Sequence, residues 1–288
     1  VLTEYNKFEK DSIMIHNKQI LTGLDHSQYE HPLDRAALEK LESIPFLTTA
    51  CKWVTSNFIE RVYNIQYTGS NLKVTKDNYP KIYEYLVEAC RILDLQQVPE
   101  LYITWGYDIN ACTIGAENPI IVLNSGLIDL CDDDEILFII GHEVGHIKSQ
   151  HMLYHLMAQV INWGIDTIPG GSLVASGLQF ALYYWSRMSE FTADRAGLMC
   201  CQDTDAMTRA FIKMAGLPIK EFNNIRPETF IQQARDFKML DYEGMNKVVK
   251  FLSIADETHP WTVMRSAELL KWIDSGEYGR FVTRRYLR

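Results

Sequence analysis

Residues 141–146 read Gly-His-Glu-Val-Gly-His, so His142 and His146 stand four residues apart with Glu143 between them. On a helix, positions i and i+4 share a face. One turn therefore brings two imidazoles to a single ion, while the carboxylate beside them reaches its open side. This is the H-E-x-x-H zinc pattern, and the chemistry it offers is metal-assisted hydrolysis with a glutamate moving the proton. Phe138, Ile139, Ile140, Val144 and Ile147 surround the motif. They make the helix a buried one, and two buried histidines beside a buried glutamate need partners.

A catalytic zinc takes three protein ligands and keeps a fourth position open. A third histidine at the metzincin spacing would fall at position 152, which is Met152, so that class is excluded. Downstream, Ser189-Glu190-Phe191-Thr192-Ala193-Asp194-Arg195 offers Glu190 as the third ligand. Asp194, one turn later on the same face, can accept the second ring N–H of a zinc histidine and so fix its tautomer. His151 and His155 form a second i, i+4 pair; the expectation for them is exposure or hydrogen bonding rather than a second metal.

These residues need elements to hold them. Asp132, Asp133 and Asp134 place negative charge at the start of the motif helix, where exposed N–H groups favour it, and the helix is expected to run to about His151. Pro32 to Arg61 reads as helical with a break at Pro45, which predicts a mainly helical N-terminal extension over 1–70 ahead of a domain over 71–288. Tyr63 to Val74 alternates around Gly69-Ser70 and predicts a hairpin, and Tyr79 to Leu95 returns to helical spacing. Leu101–Trp105, Ile109–Ile114 and Pro119–Leu123 are short β-rich runs that suggest a small antiparallel meander. Beyond Gly126 the pattern is almost wholly helical, so the fold class is α+β, mostly helical, with a small antiparallel sheet and an active-site helix. Between His155 and Arg187 there is no basic residue and a single acid, Asp166, and Pro169-Gly170-Gly171 splits the run. Each half is shorter than the roughly 20 residues of a spanning helix, which predicts two buried helices, with peripheral membrane contact through 153–187 as the other reading.

Composition narrows the partners. Lys plus Arg number 28 against 37 Asp plus Glu, a net charge of -9, which argues against nucleic acid as a partner because a phosphate backbone attracts the opposite sign. A 47% hydrophobic content rules out disorder. The six cysteines include no C-x-x-C pair and read as reduced thiols, for which a cytoplasmic location is expected. Val1 to Lys18 carry acids and no apolar run of signal-peptide length.

Taken as a set, Gly-His-Glu-Val-Gly-His, Ser-Glu-Phe-Thr-Ala-Asp-Arg-Ala-Gly, Asn110-Ala111 ahead of the β run 119–123, and Thr258-His259-Pro260 resemble a known family. It is the gluzincin metallopeptidase family of CAAX prenyl endopeptidases and HtpX-type proteases, peptidase family M48. The likeness runs from about Pro80 to Ala267. It implies a zincin-like domain with one zinc ion per chain and Glu190 as third ligand. Several members place spanning helices near 153–187, so the short apolar halves here imply a soluble member. By the same resemblance, the strand carrying Ile120, Ile121, Val122, Leu123 and Asn124 looks like the sheet edge that holds substrate main chain, with Asn110 and Ala111 beside it. His259 matches the family's His-Pro position near the cleft, where a donor could stabilise an oxyanion, and Arg265 joins the substrate-binding set. The implied activity is a zinc endopeptidase cutting extended or unfolded polypeptides, with Glu143 as general base. The alternative is a latent or inactive metal-containing peptide-binding or chaperone-like module.

Overall fold

The computed structural model describes residues 18–45, 47–54, 60–164, 172–224, 226–239 and 262–282. Helices α1 (Pro32–Glu42), α2 (Leu47–Val54) and α3 (Glu60–Ser70) precede strand β1 (Leu72–Lys73) and helix α4 (Pro80–Ile92). Strands β2 (Glu100–Thr104), β3 (Ala111–Ile114) and β4 (Ile120–Asn124) follow, and then helices α5 (Ser125–Leu130), α6 (Asp133–Lys148), α7 (Met152–Gly164) and α8 (Ser172–Cys201). Helices α9 (Thr204–Met214), α10 (Pro227–Met239) and α11 (Thr262–Asp274) come last among the described residues. The mostly helical α+β class is as expected, and the break at Pro45 separates α1 from α2.

The hairpin expected around Gly69-Ser70 is instead the end of helix α3. The Asn71 N–H bonds back to the Tyr67 carbonyl at 3.1 Å, so the glycine closes a helix rather than turning two strands. A few alternating apolar residues fit either period, and here only the two residues of β1 are extended.

The four strands lie in the order β1-β2-β4-β3. β3 and β4 make the expected antiparallel hairpin, closed at Gly115, whose φ of +95° and a Cβ that would lie 2.9 Å from the Asn118 carbonyl both require glycine. β2 and β4 run parallel, from Glu100 opposite Ile120 to Thr104 opposite Asn124, so the sheet is mixed rather than an antiparallel meander. The link 105–110 carries the chain past the β4 position, and β3 enters as an edge.

That order corrects the placement of the substrate edge. β4 is flanked on both sides, and the main chain of Ile120, Ile121, Val122, Leu123 and Asn124 is already paired with β2 and β3. Even the Asn124 N–H is taken, by the Asn110 carbonyl at 3.0 Å. Among the described residues the outermost strand on the metal-motif side of the sheet is β3.

Helix α6 begins with a capping box in which Asp132 and Glu135 exchange side-chain and backbone bonds. The buried Glu135 carboxylate also meets Arg209 at 3.1 Å and Lys213 at 2.6 Å, which ties α6 to α9. The helix stops at Lys148 rather than near His151. Gln150 adopts a left-handed φ of +56°, the His151 N–H bonds to the His146 carbonyl at 3.0 Å, and the Gln150 N–H bonds to the Ile147 carbonyl at 3.1 Å. This Schellman turn folds His151 back over His146.

Small residues let α6 and α8 approach closely. A Cβ at Gly141 would lie 2.5 Å from the Cys200 Cβ, one at Gly145 would lie 2.5 Å from the Ala196 Cβ, and one at Gly197 would lie 2.6 Å from the Phe138 carbonyl. The same seam puts Glu190 and Asp194 of α8 against the motif face of α6. Helices α7 and α8 are both present, α8 running on to Cys201, while 165–171 lie outside the described residues; the expected burial of both is not shown, since Phe180 and Tyr184 of α8 are exposed. Leu182, Trp185, Met188 and Phe191 of α8 bury themselves with Tyr154 of α7 and with Ala37 and Leu41 of α1. Among the described residues no helix is long and apolar enough to cross a membrane.

Candidate metal centre

His142 and His146 turn their Nε2 atoms toward each other at 3.1 Å. Glu190 faces both, with Oε2 3.5 Å from His142 Nε2 and Oε1 3.3 Å from His146 Nε2. All three side chains are buried, and one donor atom from each lies within 4.8 Å of the others. His142 Nδ1 lies 3.0 Å from Asp194 Oδ1, so the neutral ring donates its proton there and leaves Nε2 with a lone pair. Once His142 gives up its Nε2 proton, two nitrogens and a carboxylate oxygen are aimed at one point, a set complementary to a cation. Nitrogens bound at about 2.0–2.1 Å in a tetrahedral site lie about 3.3 Å apart, so this two-nitrogen, one-oxygen set fits zinc.

Electrostatics sharpen the picture. Burial would lower the His142 pKa, but the Asp194 and Glu190 carboxylates beside it push it up to about 9. Burial wins at His146, which falls to about 3 against the pull of Glu190. Burial would raise Asp194, yet the Arg265 guanidinium and His142 hold its carboxyl below the usual range. Arg265 grips Asp194 in two bonds, Nε to Oδ2 at 2.9 Å and Nη2 to Oδ1 at 2.5 Å, and places Nη1 3.4 Å from Glu190 Oε2. Such a fork fixes the carboxylates that face the histidines.

Glu143 is buried beside this cluster, and the Thr113 hydroxyl donates to its Oε2 at 2.6 Å. A cavity of about 720 Å³ opens next to His142 and Glu143. Asn110 and Ala111 line its wall. Arg265 lines it too, but with its guanidinium committed to the carboxylates behind it rather than turned to a substrate. Ile120 to Asn124 are absent from that lining, consistent with the interior position of β4. His259 lies outside the described residues.

Two features were missed from sequence. Thr113 carries no motif, although its alternation with Ala111 on β3 puts both on one face and is a usable signal. Asp34, far away in sequence, meets His151 Nε2 at 3.1 Å, and nothing in the spacing announces it. The expectation that His151 and His155 are hydrogen-bonded agrees with the geometry: His151 Nδ1 lies 2.9 Å from His146 Nδ1, and His155 Nε2 lies 2.9 Å from Ser189 Oγ.

Residues 80–273 match the family described as Peptidase family M48. Plastoglobule-localized metallopeptidase 48, chloroplastic, from Arabidopsis thaliana is 28% identical over 268 residues, covering 92% of this chain and 78% of that protein. A Protease HtpX homolog from Gemmatimonas aurantiaca is 24% identical over 249 residues, 75% of this chain and 82% of its own length. Another from Salinibacter ruber is 26% identical over 141 residues, 48% of this chain and 45% of its own.

Proposed function

The chain belongs to peptidase family M48, and on that premise we propose that it is a zinc-dependent endopeptidase that hydrolyses peptide bonds in extended or unfolded polypeptides. The observation that carries this reading is the convergence of His142, His146 and Glu190 within 4.8 Å in a buried site beside Glu143. These three residues would hold the metal, one ion per chain. When bound, zinc supplies Lewis acidity toward a water and toward the peptide carbonyl.

The chain's own residues do the rest. Glu143 takes the proton of the attacking water and delivers it to the departing nitrogen, while Thr113 holds one of its oxygens in place. Asp194 sets the tautomer of His142, and Arg265 keeps Asp194 ionised and orients both Asp194 and Glu190. β3 is the outer strand of the described sheet, and an extended chain laid along its edge would take affinity from main-chain pairing and preference from side-chain pockets. Asn110 and Ala111 stand at the start of that edge. His259 is the proposed donor to the oxyanion. The division into an extension over 1–70 and a peptidase domain over 71–288 is part of the same proposal, as is a polypeptide rather than a nucleic acid as partner.

The test is metal content by mass spectrometry together with cleavage of unfolded casein, on the wild type and Glu143→Gln prepared in parallel. One zinc in each with cleavage by the wild type alone is the expected result. Zinc in both with cleavage by neither would favour the binding-only alternative.

A further inference from the structure

Asp34 lies on α1, ahead of the residues that match the family, yet its carboxylate is fully buried beside the metal centre. The bonds around it have only one consistent set of directions. For His146 Nε2 to act as a ligand, the ring proton must sit on Nδ1, and the acceptor facing it is His151 Nδ1 at 2.9 Å. An accepting Nδ1 leaves the His151 proton on Nε2, which points at Asp34 Oδ2 at 3.1 Å. The Thr192 hydroxyl donates to the same oxygen at 2.6 Å and accepts the His31 N–H at 3.0 Å, so its single proton is committed to Asp34. Asp34 Oδ1 is buried with no hydrogen-bond partner among the described residues. A carboxylate kept under-satisfied in the interior is costly, and its charge is directed at His151.

We propose that His151 and Asp34 are positioning residues for His146: a His-His-Asp relay fixes the Nδ1–H tautomer and the ring orientation of this ligand, as Asp194 does for His142. The inference rests on the ligand role proposed above for His146. It makes the N-terminal helix part of the metal centre, since the last carboxylate of the relay comes from α1. The Schellman turn at Gln150 is the local device that allows it; a helix continued straight through Gln150 would carry His151 about 140° around from His146.

The same bonds argue against a second ion among His146, His151 and His155, although their donor atoms also lie within 4.8 Å of one another. His151 Nδ1 receives the His146 proton. His155 Nε2 meets Ser189 Oγ at 2.9 Å, and that hydroxyl's own proton goes to the Ser186 carbonyl at 2.9 Å, so the imidazole is the donor.

The test uses the full chain and the variants Asp34→Asn, His151→Leu, His151→Gln and the pair Asp34→Asn with His151→Leu. Three quantities are read: zinc affinity by competition with a chromophoric chelator, the visible spectrum of the cobalt(II)-loaded protein, and thermal unfolding of the metal-free protein. Asp34→Asn and His151→Leu are each expected to weaken zinc binding about 10- to 100-fold and to alter the cobalt bands. The pair should bind no more weakly than His151→Leu alone, because Asp34 acts through His151. His151→Gln, whose amide oxygen can accept the His146 proton, should recover part of the affinity. Variants that melt earlier without metal, yet keep wild-type zinc affinity and cobalt spectrum, would overturn the relay and leave a packing role. If His151→Leu does not fold, Asp34→Asn preserves volume and decides alone. A wild-type chain that takes up no stoichiometric zinc would overturn the metal reading itself, a result distinct from wild-type loading with unaffected variants.

Discussion

The hydroxyl of Thr113 on β3 donates to Glu143 Oε2 on α6 at 2.6 Å, so the outer strand of the described sheet and the carboxylate beside the candidate metal centre are joined by a buried bond. In the proposed mechanism the strand beside the substrate and the glutamate that moves the proton must keep a fixed relation, and this bond would set it. Thr113→Val removes the donor at nearly constant volume and takes one hydrogen bond from a buried carboxylate, a loss of about 1–3 kcal/mol. We expect kcat to fall about tenfold or more with KM little changed and zinc content intact. Steady-state kinetics on one peptide checks this; an unchanged kcat would remove Thr113 from the mechanism.

The approach of α6 to α8 predicts a second outcome. A Cβ at Gly145 would lie 2.5 Å from the Ala196 Cβ, closer than two carbons can pack. Gly→Ala inside a helix gains about 1 kcal/mol of propensity, but overpacking a rigid seam costs about 1–3 kcal/mol. The clash wins, because the obstructing atom belongs to a facing helix and not to a flexible chain end. Gly145→Ala should therefore lower the melting temperature of the metal-free protein and also weaken zinc, by drawing His146 away from Glu190. Adding Ala196→Gly should restore both, which calorimetry and chelator competition would record.

Much of this site was legible because its information is local. His142, Glu143 and His146 follow from one helical turn, and Glu190 with Asp194 from another. The sheet order was not legible, because parallel pairing of β2 with β4 depends on where the link 105–110 lands, and strand composition does not encode it. Taking β4 for the substrate edge was an error of that kind. Helix α6 ends at Lys148 because Gln150 turns left-handed, and glutamine has no special preference for that region, so the expectation overran by a few residues. Asp34 and Thr113 were invisible for a third reason: each matters only through a contact made across the tertiary fold.

Thiol chemistry yields a third prediction with a definite sign. Burial pushes the thiols of Cys112, Cys131 and Cys201 up to about 12, and it raises those of Cys90 and Cys200 as well. The thiolate is the nucleophile, so a raised pKa lowers its fraction at every pH below that value; at pH 8 a thiol titrating near 12 is ionised to about one part in ten thousand. Alkylation of these five positions in the native protein should be slower than in the unfolded chain by about a thousandfold, and should still be rising with pH above 9. Peptide mass spectrometry after timed iodoacetamide treatment measures it. Fast native labelling of Cys112 would mean that β3 opens away from its neighbours.

Substrate preference follows from the wall of the cavity beside Glu143. Ile109, Phe138, Ile139, Met214, Leu217 and Phe222 supply apolar surface there. The two cations that reach it are already paired, Lys213 with Glu135 at 2.6 Å and Arg265 with Asp194 at 2.5 Å. An incoming acidic side chain would have to displace one of those partners, whereas a leucine or phenylalanine gains about 1.5–3 kcal/mol from leaving water. Cleavage sites in unfolded casein should therefore cluster beside large apolar residues, and peptides differing only by Leu against Asp at that position should differ at least about tenfold in kcat/KM. Leu217→Asp should erode this preference without changing zinc content, because Leu217 lines the cavity and is not one of the residues that would hold the ion. A cleavage profile indifferent to side-chain type would place the substrate elsewhere, along the β3 edge alone, with main-chain pairing as the whole of recognition.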